Sequence, residues 1–237
     1  MNKGFSVGFL KWAAVICMFL DHVGLIFFES PSVLGGTQIG DMMDVPLRAV
    51  GRMSFPIFLF CLLQGYLYTH DRAAYAKRLL LFAFISEIPY DFGNFGRLWS
   101  FAVNNVIWTM FLIVVMWMCY EKAAKHKDVC KALYGLIFAF FMLIAYFTHV
   151  DYGQAAIGAA TALYAYRSRR VFGYFIAITV LAVFVSPIEL FALLSLLSLP
   201  LIKYYNHTKG RQIKYFFYIF YPVHLIFLRL LSMLLFP

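Results

Sequence analysis

Long apolar runs separated by short charged strings organise this chain. Runs at 8–28, 47–69, 76–91, 103–120, 131–149, 152–166, 171–185, 188–204 and 213–236 approach the roughly 20 residues that a helix needs to cross a bilayer. The stretch from Val171 to Ile202 has the length of a single helix, but Ser186-Pro187 followed by Glu189 breaks it into a hairpin. No low-complexity tract, heptad run, Pro/Gly-rich linker or internal repeat divides the chain. The pattern predicts an all-α fold, one polytopic transmembrane bundle of about nine helices over residues 1–237, with the N-terminus cytoplasmic.

Composition removes the soluble alternative. With 63% hydrophobic and 13% charged residues and a mean hydropathy of +0.79, a globule could not find enough polar surface to cover itself. The net charge of +9 would suggest nucleic acid in a soluble protein, but its distribution gives another cause. With a cytoplasmic N-terminus, every basic residue except Arg48, Arg52, Arg97 and Arg229 falls in an inside segment. Glu29, Asp41, Asp44, Asp91, Asp151 and Glu189 lie at or beyond the outer ends. The basicity is therefore topological, the expected partner is a lipid bilayer rather than nucleic acid, and the loops remain open to anionic lipid or a phosphate-bearing ligand. Lys3 precedes an apolar run without a small-residue cleavage site, so the first helix is expected to be retained. Cys17, Cys61, Cys119 and Cys130 include no C-x-x-C pair and are expected as reduced thiols. Six scattered histidines without ligand spacing predict no metal, and no P-loop, G-x-G-x-x-G, H-E-x-x-H or G-x-S-x-G is present.

Function must then come from polar residues that the membrane makes expensive. Asp21-His22 closes the first apolar run. Neighbours on a helix point about 100° apart, so the two need separate partners. His22 suits a general base if a carboxylate or carbonyl of another helix holds its ring, and equally suits a packed structural histidine. Arg48 and Arg52, four apart, can clamp carboxylates or phosphates, or form salt bridges to Asp21, Glu87 or Asp91. Glu87 and Asp91 share a face and can orient His22 or complete a structural network; Asn104-Asn105 opens the next helix at the same level. Gln64 is expected to make an interhelical hydrogen bond. Asp151-Tyr152 reads as an interfacial cap, and Tyr221-Pro222 with His224 lies near mid-depth of the last helix, where His224 can satisfy a neighbouring group.

The strings LKWAAVICMFLDHVG, LRAVGRMSFPIFLFCLLQGY, RLLLFAFISEIPYDF, the NN pair, DYG and KYFFYIFYPVHLIFL, in this order over nearly the whole chain, resemble the TraX family, named for an integral membrane protein that N-acetylates pilin in conjugative systems. The first two helices are also similar to transmembrane acyltransferases of the heparan-glucosaminide acetyltransferase type, in which a membrane histidine serves acetyl-CoA-dependent transfer. That histidine falls on His22, and G-R-x-x-F-P-x-F on Gly51, Arg52, Phe55, Pro56 and Phe58.

The resemblance implies a multi-pass enzyme of the bacterial cytoplasmic membrane that moves an acyl group from acetyl-CoA or another acyl-CoA to an amine or hydroxyl of a protein or glycan acceptor at the outer face. His22, Asp21, Glu87 and Asp91 are then the catalytic candidates, with Asn104, Asn105 or an arginine on the oxyanion. Arg48, Arg52, Asn104, Asn105, Asp151, Tyr152, Tyr221 and His224 are candidates for the acceptor. Arg72, Lys77, Arg78, Lys209 and Arg211 are candidates for the CoA phosphates. The competing class is a proton-coupled small-solute transporter using the same buried charges.

Overall fold

The computed structural model describes residues 4–30, 33–100, 102–126, 130–185, 195–211, 213 and 215–236. Helix α1 (Val7–Val23) starts where the Ser6 hydroxyl accepts the Phe9 N–H at 3.2 Å, and its rod continues as a π-helical turn over Gly24–Glu29. Then come α2 (Gln38–Gly51), α3 (Ser54–Tyr68), α4 (Arg72–Phe95), α5 (Val106–Ala123), α6 (Cys130–Phe147), α7 (Gly153–Ala165) and α8 (Arg170–Val185). A 3-10 turn (Ser195–Ser198) leads into a five-residue α9 (Leu199–Lys203), and α10 (Phe216–Leu235) follows. Among the described residues, nine helices have 13 residues or more. Val7–Glu29, Gln38–Tyr68, Val106–Ala123 and Phe216–Leu235 are long and apolar enough to cross a membrane, and Lys131–Phe147 and Arg170–Phe184 are shorter apolar helices. The chain is an all-helical membrane protein.

Two expected segments differ. The run 47–69 is two helices: Pro56 has no N–H to donate to the Arg52 carbonyl, and the rod breaks at Arg52 and Met53. The expected hairpin at Ser186, Pro187 and Glu189 lies outside the described residues, as does the start of the run at 188–204, and from Ser195 the chain is the 3-10 turn and α9.

Helix α4 packs between α5 and α10, α1 packs on α2 and α3, and α7 lies against α5, α6 and α8. At 13 residues α7 is only about 20 Å long, and its buried Ala155, Ala156, Ala159 and Ala160 admit close neighbours. Trp117 of α5 fills the centre and donates its indole N–H to the Ala160 carbonyl at 3.2 Å.

The alternation gives the bundle two chemically distinct ends. At one end α1, α4, α8 and α10 begin; Arg72 pairs there with Glu121, and the Phe5 N–H donates to the Tyr204 carbonyl at 2.9 Å. Arg78, Lys122, Arg167, Arg170, Lys203 and Lys209 share this basic end. Glu29, Asp44, Asp91 and Asp151 lie at the opposite, acidic end.

Candidate functional site

Helices α1 and α10 run in the same direction and bring two histidines together. His22 Nδ1 lies 2.9 Å from the Met18 carbonyl, and His224 Nδ1 lies 2.8 Å from the Phe220 carbonyl. A carbonyl oxygen only accepts, so in the neutral rings both Nδ1 atoms carry the proton and both Nε2 atoms are bare. His224 Nε2 is 3.1 Å from His22 Nδ1, which makes it a second acceptor for the same N–H. The pair therefore leaves His22 Nε2 with a lone pair that neither bond uses. Both residues are buried, at 9% and 3% exposure. Phe220 stacks on the His224 ring at 4.8 Å, and Tyr221 meets the His22 ring nearly edge-on at 6.5 Å.

Of the expected carboxylate partners of His22, each has one oxygen bonded elsewhere and one, Glu87 Oε1 and Asp91 Oδ1, buried with no hydrogen-bond partner among the described residues. Glu87 Oε2 accepts from Asn105 Nδ2 at 2.5 Å and from the Trp108 indole at 2.7 Å. Asp91 Oδ2 accepts the Ser100 N–H at 2.7 Å. Both carboxylates tie α4 to the segment leading into α5, because their shared face meets that segment. Asn105 is spent as well: its amide N–H groups go to Glu87 and the Ala83 carbonyl, and its oxygen caps the Ile107 N–H. Asn104 donates to the Thr148 carbonyl and its backbone bridges to Val150. Both Asn105 N–H groups are thus committed within the fold, and one of the two on Asn104.

Beside the histidines, Arg48 of α2 binds Asp21 at 2.8 Å and Glu29 at 3.3 Å, which is the salt-bridge alternative. Gly51 makes room for this contact, since a Cβ there would overlap the Asp21 carboxylate. The charges of Arg48 and Arg52 also act on Asp151 and Tyr152. Tyr152 takes a left-handed φ of +59° at the start of α7 and stacks on Phe55 at 3.9 Å. Tyr152 is the N-cap position of α7 and no side chain caps the helix there; Asp151 accepts the Tyr152 N–H at 2.9 Å, and burial pushes its carboxyl up to about 6.

A cavity of about 740 Å³ extends from the basic end to Met18 and Tyr221, two residues that touch the histidine pair without the histidines lining the cavity themselves. Lys11, Arg78, Lys209 and Tyr215 line one part, Phe58, Cys61, Leu62 and Met110 the walls, and Met18 and Tyr221 the deep part. Lys11 to Met18 is seven residues, or about 10 Å along α1. Met18 is thus both cavity wall and acceptor for His22, and Tyr221 is both wall and neighbour of the two imidazoles.

Of the basic candidates, Arg78 and Lys209 line the cavity, whereas Lys77 and Arg211 are not among its lining residues. Arg72 is turned to Glu121 and rests over the Tyr66 ring at 4.7 Å. Lys11 and the His22–His224 pairing were not foreseen. The available signal was that the first and last long helices each carry a histidine and begin at the same end.

These features define a polytopic helical membrane protein with a buried imidazole pair beside a basic-mouthed cavity. The chain belongs to the TraX family, whose model, described as TraX protein, matches residues 6–232. It is also similar to a probable fimbrial assembly protein FimC, serogroup H1, of Dichelobacter nodosus, at 28% identity over 250 aligned residues covering 96% of each chain. No solved structure matches.

Proposed function

We propose that the protein is an acyl-CoA-dependent transferase of the bacterial cytoplasmic membrane, with acetyl-CoA as donor and a pilin or fimbrial subunit amine, or a glycan hydroxyl, as acceptor. The observation that carries this reading is the cavity lined by Lys11, Arg78 and Lys209 at the basic end and by Met18 and Tyr221, neighbours of the His22–His224 pair, at its depth. By the positive-inside rule the basic end faces the cytoplasm, where the lysines and the arginine suit the phosphates of CoA. The apolar walls suit the pantetheine arm, and the thioester then lies near Tyr221. His22 Nε2 takes the proton of the acceptor amine or hydroxyl as that atom attacks the thioester carbonyl. The C–S bond breaks from the tetrahedral intermediate, and the imidazolium returns the proton to the departing thiolate. His224 Nε2, accepting the His22 Nδ1–H, fixes the tautomer and stabilises the imidazolium. The acceptor approaches from the acidic end, past Arg48, Arg52, Asp151 and Tyr152. The FimC name of the similar protein supports a fimbrial acceptor.

The test is release of free CoA from acetyl-CoA by protein purified into nanodiscs, with pilin peptide, amine and sugar acceptors. Wild type should release CoA, and His22→Ala should not, although it still binds acetyl-CoA. Equal release by both would remove His22 from the mechanism. No release from folded wild type that fails to bind acetyl-CoA would transfer the assignment to solute transport.

A further inference from the structure

A second cavity, of about 600 Å³, lies at the basic end on the other side of α3. With a 100° step per residue, Phe58, Cys61 and Leu62 turn toward the first cavity and Phe60, Leu63, Gln64 and Leu67 toward the second. Its remaining wall comes from α7 and α8, with Leu163, Val171 and Phe172, and its polar rim is Arg167, Arg169, Arg170 and His207.

Two groups here carry hydrogen-bonding atoms that no described residue engages. Gln64, only 8% exposed and bordering the cavity, has no hydrogen-bond partner for its side-chain amide among the described residues, so the expected interhelical bond is not made. The amide borders the cavity, so its hydrogen-bonding groups are open to a ligand there. The Arg170 Nε is buried without a partner among the described residues. The arginines are nonetheless held in place. Arg170 Nη1 lies 2.5 Å from His207 Nε2, and Arg167 donates to the Tyr164 carbonyl at 2.8 Å while resting over the Tyr164 ring at 4.4 Å. Each guanidinium has five N–H donors, so most remain for a ligand.

We propose that this cavity binds the phosphate-bearing headgroup of an anionic membrane lipid. Arg167, Arg169 and Arg170 surround the phosphate, Gln64 bonds the headgroup oxygens beneath it, and the acyl chains run along Leu67 and Phe172, the exposed apolar residues of the wall. The site is separate from the acyl-donor cavity and does not depend on the reading of that cavity. A lipid fits better than a soluble anion because apolar side chains continue below the arginines, and basic pockets between spanning helices are a recurrent setting for anionic headgroups.

The test is thermal unfolding of the full chain in phosphatidylcholine nanodiscs with and without phosphatidylglycerol. Ligand binding to the native state predicts a rise of about 3 °C or more with phosphatidylglycerol. The rise should vanish in Arg170→Gln and shrink in Gln64→Leu, and persist in Arg97→Gln, which alters a basic residue at the opposite end. If Arg170→Gln does not fold, Gln64→Leu, apolar and compatible with its span, carries the comparison. No rise in wild type, or the same rise in both cavity variants, would overturn the proposal. Inorganic phosphate that reproduces the rise in pure phosphatidylcholine discs would reassign the ligand to a soluble anion and overturn the lipid. Acyl transfer plays no part in the readout.

Discussion

His224 Nε2 lies 3.1 Å from His22 Nδ1 and joins the first long helix to the last through two imidazoles, 202 residues apart in sequence. A carboxylate in the place of His224 would put a full charge against the ring in the resting state, at a desolvation cost. A neutral imidazole supplies the same acceptor lone pair without that charge.

This relationship predicts a graded response at His224. His224→Phe keeps the stack on Phe220 but removes the acceptor, and kcat for CoA release should fall by about 10-fold or more while the KM for acetyl-CoA stays put. His224→Gln, whose amide oxygen can accept the His22 N–H, should recover part of the loss. Steady-state kinetics of both variants checks this. An equal fall in the two, or a fall in folded yield alone, would reduce His224 to packing.

Gly51→Ala should destabilise the fold by about 1–3 kcal/mol, since the new Cβ overlaps the Asp21 carboxylate. Asp21 cannot swing clear without lengthening its 2.8 Å contact with Arg48. The same substitution in an Asp21→Gly background, which removes the overlapping Asp21 Cβ as well as its carboxylate, should cost less, and thermal unfolding of the four proteins gives the coupling. Additive effects would show that the close approach of α2 to α1 does not rest on this pair.

Much of the fold is written in the apolar runs, because a bilayer asks for length and hydropathy before anything else. Helix α2 escaped that reading because its polarity is inside out. Arg48 turns inward to Asp21, while Ile39 and Met42 are exposed at 64% and 72%. The averaged hydropathy of the stretch stays low although its outer face is apolar. At the site, His22 was visible as an ionisable residue ending an apolar run. Its partner was not, because pairing depends on which helices touch. The same gap held for Glu87 and Asp91: their spacing of four fixed a shared face, and only packing shows that this face meets Asn105, Trp108 and Ser100.

The basic residues should separate by role. Arg78→Gln and Lys209→Gln, both lining the cavity proposed to take the donor, should each raise the KM for acetyl-CoA by about 3- to 10-fold with kcat little changed, as expected for loss of one phosphate contact. Arg72→Gln should leave that KM alone and lower the melting temperature instead, because its guanidinium pairs with Glu121 and covers the Tyr66 ring. A KM effect at Arg72 equal to that at Arg78 would dissociate donor binding from the cavity.

Asp151 should make stability depend on pH. Burial pushes its carboxyl up to about 6, against an ordinary value near 3.9 in the unfolded chain. Between about pH 4 and 6 the folded protein keeps a proton that the unfolded chain has lost. Stability therefore falls as pH rises through that window and levels off above it, by at most about 3 kcal/mol for a shift of two units. Asp151→Asn retains an oxygen for the Tyr152 N–H at 2.9 Å and does not titrate. The variant should melt close to wild type near pH 4 and above it at pH 7.5. Melting curves at the two pH values decide between two pictures of the turn into α7. A higher variant melting point at pH 7.5 means that the ionised carboxylate is a burden the fold carries beside Arg48 and Arg52. No difference, or a lower one, means that those arginines hold the carboxylate ionised and that it anchors Tyr152 by charge.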